Sequence, residues 1–205
     1  MLLVERPLRE LLAAFASSDP TPGGGSAAAA ASAVGASLLM MVAGLPKTRS
    51  GSEAERTALA SALIALTRTQ AQLAAAIDAD TAAYDQVVAA YKHLKGTPAE
   101  QVARKAAIQR ALHAATDVPL NVMRLSTESL EHARAVAADG HRPAASDVGV
   151  AIALLTAGLQ GARLNVETNL GSMSDAVYKD AVAAEVDRLM RVGDASAEAA
   201  RSSLG

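Results

Sequence analysis

Pro22-Gly23-Gly24-Gly25-Ser26 runs straight into Ala27-Ala28-Ala29-Ala30-Ala31, and no charged side chain follows until Lys47. Alanine is the strongest helix former, and a helix without a polar face must be covered on every side, so this stretch predicts the central helix of a bundle. The 19 uncharged residues from Ala27 to Leu45 approach the length of a membrane span. They are mostly Ala, Gly and Ser, which drive insertion far less than Leu, Ile or Phe, and this favours the bundle over the bilayer. Ahead of the helix, Pro20 and Pro22 stiffen the chain and Gly23, Gly24 and Gly25 let it turn without side chains in the way. Ser26 is a good N-cap. A bare, N–H-rich turn at a helix N-terminus suits an anionic or carbonyl group of a ligand, and the same glycines suit a close helix crossing. The residues alone leave both open.

Composition supports the same architecture. The chain has 205 residues, 51% of them hydrophobic but only 2% aromatic, so its core is built from Ala, Leu, Val and Met. Strong helix formers dominate, which argues for an all-α fold in a single domain over residues 1–205. A net charge of −2 gives no electrostatic footprint for nucleic acid. There is no cysteine, hence no disulfide framework, thiol nucleophile or thiolate zinc site. The 4 histidines lack the spacing of a zinc helix, so no metal is expected. Met1-Leu2-Leu3-Val4-Glu5-Arg6 lacks the basic and apolar regions of a secretory signal, and a cytoplasmic location without a membrane partner is expected.

Start and stop signals divide the chain into six to eight helices. The first spans about Arg6 to Ala16, with Leu8, Leu11, Leu12 and Phe15 on one face. The central apolar helix ends near Gly44, before Pro46. After the basic loop Lys47-Thr48-Arg49-Ser50-Gly51, Ser52 and Glu55 form a capping box that opens one long spine helix to about Lys95. Thr97-Pro98-Ala99-Glu100 is a second start signal, and Pro119 is expected to kink or restart that helix. Ser146-Asp147 reads as the next N-cap, ahead of a largely apolar helix to about Leu170, and Ser172 or Ser174 as the last.

Polar residues within apolar helices are the candidates for chemistry. Asp80, Tyr84 and Tyr91 line up along the spine helix, with Asp78 and Asp85 close by. Carboxylates among Ala and Ile are suited to tuned acid–base work, although a solvated helix face has the same pattern. Asn165 and Asn169 sit one turn apart, which fits either a polar contact in a cavity or an interhelical hydrogen bond. Ser146-Asp147 fits a ligand contact and a plain cap equally well. Lys47, Arg49, Arg56 and Lys92 could face an anionic substrate tail or simply water.

These residues resemble a known family. The glycine turn with its alanine helix, Asp78-Ala79-Asp80, Tyr91-Lys92, Thr97-Pro98, Val118-Pro119-Leu120, Gly140 with Ser146-Asp147, and Gly161-Ala162 with Asn165 and Asn169 occur in the order seen in the formiminotransferase-cyclodeaminase C-terminal domain and the free-standing methenyltetrahydrofolate cyclohydrolases. The resemblance covers about residues 4 to 200. His141 departs from it, standing where Asn is expected, and Pro46-Lys47-Thr48-Arg49 looks more like the free-standing enzymes. It implies an all-α homodimer acting on a tetrahydrofolate derivative without a metal. The activity implied first is hydrolysis of 5,10-methenyltetrahydrofolate. Cyclodeamination of 5-formiminotetrahydrofolate is the alternative, and a non-catalytic helical interaction module the rival of another kind. In this reading Asp80 is the catalytic carboxylate with Asp78 in support. Gly23, Gly24, Gly25, Ser26, Tyr84, Lys92, Ser146, Asp147, Asn165 and Asn169 contact the substrate.

Overall fold

The computed structural model describes residues 1–204. Six helices carry the fold: α1 (Leu8–Phe15), α2 (Gly24–Ala43), α3 (Glu53–Tyr91), α4 (Pro98–Asp139), α5 (Ala145–Gly171) and α6 (Ala176–Ser202). Short 3-10 turns at Leu3–Glu5 and Arg142–Ala144 precede α1 and α5. The described residues form no strand, and the one isolated bridge, Thr48 to Gly140, ties the α2–α3 loop to the end of α4.

The capping boxes act as the sequence indicates. Ser52 accepts from the Glu55 N–H at 3.2 Å to open α3, and Thr97 accepts from the Glu100 N–H at 3.2 Å to open α4. Asp175, rather than Ser172 or Ser174, caps α6 by accepting from the Tyr178 N–H at 3.1 Å. Ser174 instead donates both its N–H and its hydroxyl to Gln109 Oε1. The start of α5 also differs: Ala145 is its first residue, so Ser146 and Asp147 stand inside the first turn and neither is the cap.

The expected single spine is a pair. α3 has 39 residues and α4 has 42, spanning about 58 and 63 Å. The sequence divides α4 at Pro119, yet the helix runs through it. Proline has no N–H for the carbonyl four residues back, which here belongs to Ala115. The Asn169 Nδ2 of α5 donates to that oxygen at 2.9 Å, so a side chain from the next helix supplies the missing bond.

α2 to α5 form an antiparallel four-helix arrangement, in which α2 packs on α3 and α5, α4 packs on both of these, and α6 covers α4. By length and composition α2 and the segment Arg142–Gly171, which contains α5, are both long and apolar enough to cross a membrane, and neighbouring helices bury more than half of the first and a third of the second. The α2–α5 crossing is close because it is lined by small residues: a Cβ on Gly158 would overlap the Ser32 hydroxyl. α6 is fastened to α4 by the paired Arg124–Glu185 bonds at 2.8 and 2.7 Å. α1 is the exception. Leu8 and Leu12 of its apolar face remain exposed, and only Leu11 packs against the core.

The loop between α2 and α3 marks the end of the bundle away from Gly23. Arg49 donates to the carbonyls of Ala137 and Ser203, at the C-terminal ends of α4 and α6, where cations are favoured. Glu55 accepts from the Thr48 hydroxyl at 2.6 Å and from the N–H groups of Ser50, Gly51 and Ser52. The Thr48 hydroxyl first, then the Ser50 N–H, pull its carboxyl down to about 2.

Candidate active site

The antiparallel order brings the N-terminus of α2 against the last third of α3, and Ser26 meets Asp80 there. The sequence suggests Ser26 as a cap for its own helix. It is instead fully buried in the first turn of α2. Its N–H donates to Asp80 Oδ2 at 2.8 Å, and its hydroxyl lies 3.0 Å from the same oxygen and 2.8 Å from the Ile77 carbonyl. The carboxylate that caps α2 therefore comes from α3, an arrangement the helix dipole favours. Gly25 makes it possible, because any Cβ there would overlap Asp80 Oδ1. The glycine turn thus serves both of the roles left open for it, since it admits a close-packed side chain and exposes the backbone of the turn.

Asp80 lies at the floor of a cleft of about 350 Å³ between α2, α3, α4 and the end of α5. Gly23, Gly24 and Gly25 form one wall, Tyr84 and Tyr91 a second, and Asn165 and Asn169 a third. The N–H groups of Gly24 and Gly25 belong to the first turn of α2 and have no intrahelical acceptor. Burial pushes the Asp80 carboxyl above the ordinary carboxylate range, and the hydroxyl and N–H of Ser26 pull the other way with smaller effect. No lysine or arginine lines the cleft. The result is a carboxylate with one oxygen anchored and the other beside open space, able to hold or release a proton.

Other sequence candidates lie elsewhere. Asp78 faces away from the cleft and accepts from the Leu3 and Val4 N–H groups at 2.5 and 3.3 Å, tying the N-terminal turn to α3. Lys92 is exposed at the C-cap of α3 and does not line the cleft. Ser146 and Asp147 lie at the opposite end of α5, about 27 Å from Asn165 along the helix axis, so within one chain they do not close the same cleft. Arg56 is paired with Glu53. Thr168, which the sequence does not mark, and Ser172, which it offers only as a cap for the last helix, line the cleft with the two asparagines. Their signal is the polar stripe 165, 168, 169, 172 on an otherwise apolar helix.

Asn165 and Asn169 have different duties. Asn169 spends its amide N–H on Ala115 in α4, the interhelical bond that the sequence allows. Asn165 donates back to the Gly161 carbonyl of its own helix at 2.9 Å, and its amide stands across from Gly24 at the cleft wall.

Residues 7–188 match the formiminotransferase-cyclodeaminase family. The chain belongs to that family. It is 38% identical over 186 residues to a methenyltetrahydrofolate cyclohydrolase of Methylorubrum extorquens, covering 89% of this chain and 88% of the relative. It is 30% identical over 202 residues to the formimidoyltransferase-cyclodeaminase of Rattus norvegicus, of which the match spans only 37%. A solved formiminotetrahydrofolate cyclodeaminase of Thermotoga maritima superposes with a TM-score of 0.86 at 25% identity, covering 98% of this chain and 96% of that one. The all-α architecture is therefore that of the cyclodeaminase family. These relatives are by name enzymes acting on folate one-carbon derivatives. Among the described residues no group of three or more His, Cys, Asp or Glu is placed to hold a metal ion.

Proposed function

We propose that this family member hydrolyses 5,10-methenyltetrahydrofolate to 10-formyltetrahydrofolate, with Asp80 as its proton-transfer group. The observation that carries the proposal is the Asp80 carboxylate, half-buried and anchored by Ser26 at the floor of the cleft. The cyclohydrolase relative, matched over nearly its whole length, supports the same reaction.

The bridge carbon between N5 and N10 of the substrate is cationic, so a carboxylate beside it stabilises the bound bridge and orients water. As the water oxygen bonds to the bridge carbon, Asp80 takes one water proton and a neutral tetrahedral carbon forms. Asp80 then gives that proton to N5 while the C–N5 bond breaks. The hydroxyl proton leaves to solvent, and the formyl group stays on N10. A group that acts as base and then as acid works best with its pKa moved towards the working pH, the direction in which burial moves Asp80. The Asn165 amide and the Gly24 and Gly25 N–H groups suit the donor and acceptor edge of the pterin.

Decay of methenyltetrahydrofolate absorbance above its spontaneous rate tests the reaction. Asp80→Asn is expected to retain its helical circular dichroism and lose about 10²–10⁴ in rate. A folded variant with wild-type turnover removes Asp80 from the mechanism. Cyclodeamination passes through the same tetrahedral carbon, and the Thermotoga maritima neighbour bears that name. Release of ammonia from 5-formiminotetrahydrofolate at a higher kcat/KM than methenyl hydrolysis assigns the site to that reaction instead.

The unit in solution, in this proposal, is a homodimer. α3 and α4 are longer than a 205-residue domain is wide, since its radius of gyration is about 17 Å. α2 carries no charged residue yet exposes Val34 and Met41, and α5 packed beside it exposes Val150 and Leu164. Light scattering is expected to give twice the 20.8 kDa of one chain, and a mass of one chain at micromolar concentration refutes the dimer.

A further inference from the structure

Ser26 carries one hydroxyl hydrogen and has three side-chain or backbone oxygens close to it. Two are the Ile77 carbonyl and Asp80 Oδ2, already met at the cap of α2. The third is Thr81 Oγ1, at 3.4 Å. Thr81 differs from Thr67, Thr116, Thr156 and Thr168, each of which donates its hydroxyl to the carbonyl four residues back. For Thr81 that carbonyl belongs to Ile77, and the donor it receives is Ser26 of α2, at 2.8 Å. Among the described residues the Thr81 hydroxyl meets Ser26 alone.

Thr81 does not line the cleft. It lines a second pocket, of about 600 Å³, between the N-terminal turn, α1 and α3, together with Asp78 and Glu10. Thr21 lines both spaces, so the Thr21–Pro22 stretch of the glycine turn is part of the partition between them. Ser26 is fully buried within that partition. It stands 3.0 Å from Asp80 Oδ2 on the cleft side and 3.4 Å from Thr81 Oγ1 on the outer side. The second contact is the longer, as expected while the Ser26 hydrogen is held by Ile77 and Asp80. Three oxygens in a row thus connect the floor of the cleft with a space that opens to water.

We propose that Ser26 and Thr81 form a proton relay, which carries the proton released in each turnover from Asp80 to water in the outer pocket. This rests on the reading of Asp80 as the proton-transfer group. Addition of water to the methenyl cation and opening of its ring release one proton, that of the bridge hydroxyl. Asp80, having given its first proton to N5, takes the hydroxyl proton on the oxygen that faces the cleft. The formyl product then covers that oxygen. The last torsion of an aspartate is broad and two-fold, so a half-turn about Cβ–Cγ restores the shape of the carboxyl and presents the proton to Ser26. The Asp80 O–H bond breaks as a bond forms from that hydrogen to Ser26 Oγ. The original Ser26 hydrogen passes to Thr81 Oγ1, and the original Thr81 hydrogen passes to a water. Both hydroxyls end neutral, and Asp80 is ionised for the next turnover while product still fills the cleft.

Stopped-flow single turnovers of 5,10-methenyltetrahydrofolate, following the methenyl absorbance and a pH indicator together, test the relay. In the wild-type enzyme the proton is expected to appear as fast as the methenyl band is lost. Thr81→Val removes the hydroxyl and keeps the bulk. Its proton is expected to lag until product leaves, and kcat to fall about tenfold with kcat/KM unchanged, because only a step after the chemistry is slowed. Thr81→Ser keeps a hydroxyl and is expected to restore both the timing and kcat. A packing role alone gives the reverse order, since serine leaves a gap that valine fills. A wild-type proton that lags the methenyl band, a Thr81→Val proton that does not, or a Thr81→Ser enzyme as slow as Thr81→Val overturns the relay. The Asp80 reading survives any of these results if Asp80→Asn is inactive. Wild-type turnover in a folded Asp80→Asn enzyme overturns both.

Discussion

At the residue scale, one carboxylate serves two helices. Asp80 caps α2 through Ser26 and keeps its second oxygen beside Gly25, so the position of that oxygen depends on the absence of a single methyl group. Gly25→Ala forces either the carboxylate or the turn to move. Displacement of a reacting group by about 1 Å can cost about 10² in rate, so kcat is expected to fall by that order with helix content retained. Gly24→Ala is the contrast, since its new Cβ would meet Asn165 Nδ2 at 3.5 Å, an ordinary contact, and turnover is expected to stay within a few fold. Full activity in Gly25→Ala would mean that the placement of Asp80 is not limiting. Sequence reasoning reaches Asp80 and the glycines separately. It misses their contact because Ser26, 54 positions from Asp80, looks like a cap for its own helix when only its neighbours are seen. Asp78 is drawn in by the same limitation: two positions along a helix reverse the face, and nothing local says which face is inside.

At the element scale, the capping boxes at Ser52 and Thr97 are legible because the partners that make them lie three residues apart. The continuity of α4 is not, because the group that repairs Pro119 comes from α5. Ala115 has lost its normal donor, and the Asn169 amide takes that place. The two positions should therefore be coupled. Asn169→Ala leaves a buried carbonyl unpaired and is expected to cost about 1–3 kcal/mol in urea denaturation. In a Pro119→Ala background the helix supplies its own N–H to Ala115, and the same asparagine change is expected to cost measurably less. A double-mutant cycle reads the difference, and strict additivity would show that the bond does not compensate for the proline.

At the scale of the whole molecule, the long antiparallel helices put the carboxylates of Glu55 and Asp80 at opposite ends, shifted in opposite directions, and stability should depend on pH accordingly. The hydrogen bonds of the α2–α3 loop, led by the Thr48 hydroxyl, hold Glu55 at about 2, below its ordinary 4.5. Its folded pKa is depressed, so its contribution is complete above pH 4.5 and is lost as pH falls towards 2. Glu55→Gln is then expected to melt below the wild-type protein at neutral pH, with the gap closing in acid. Asp80 has the opposite sign. Burial raises its pKa above the ordinary 3.8, so the folded chain binds its proton more tightly than the unfolded chain does. Its favourable contribution is complete below 3.8 and is lost as pH rises through the raised value. At neutral pH the ionised carboxylate is therefore held in the cleft at a cost in stability, and Asp80→Asn is expected to melt above wild type while losing turnover. That advantage should shrink as the pH is lowered towards 3.8. Thermal melts of the three proteins from pH 3 to pH 8 test both signs at once. An Asp80→Asn variant less stable than wild type at neutral pH would mean that the Ser26 bonds to the carboxylate outweigh its burial, and that Asp80 is a structural cap before it is a proton carrier.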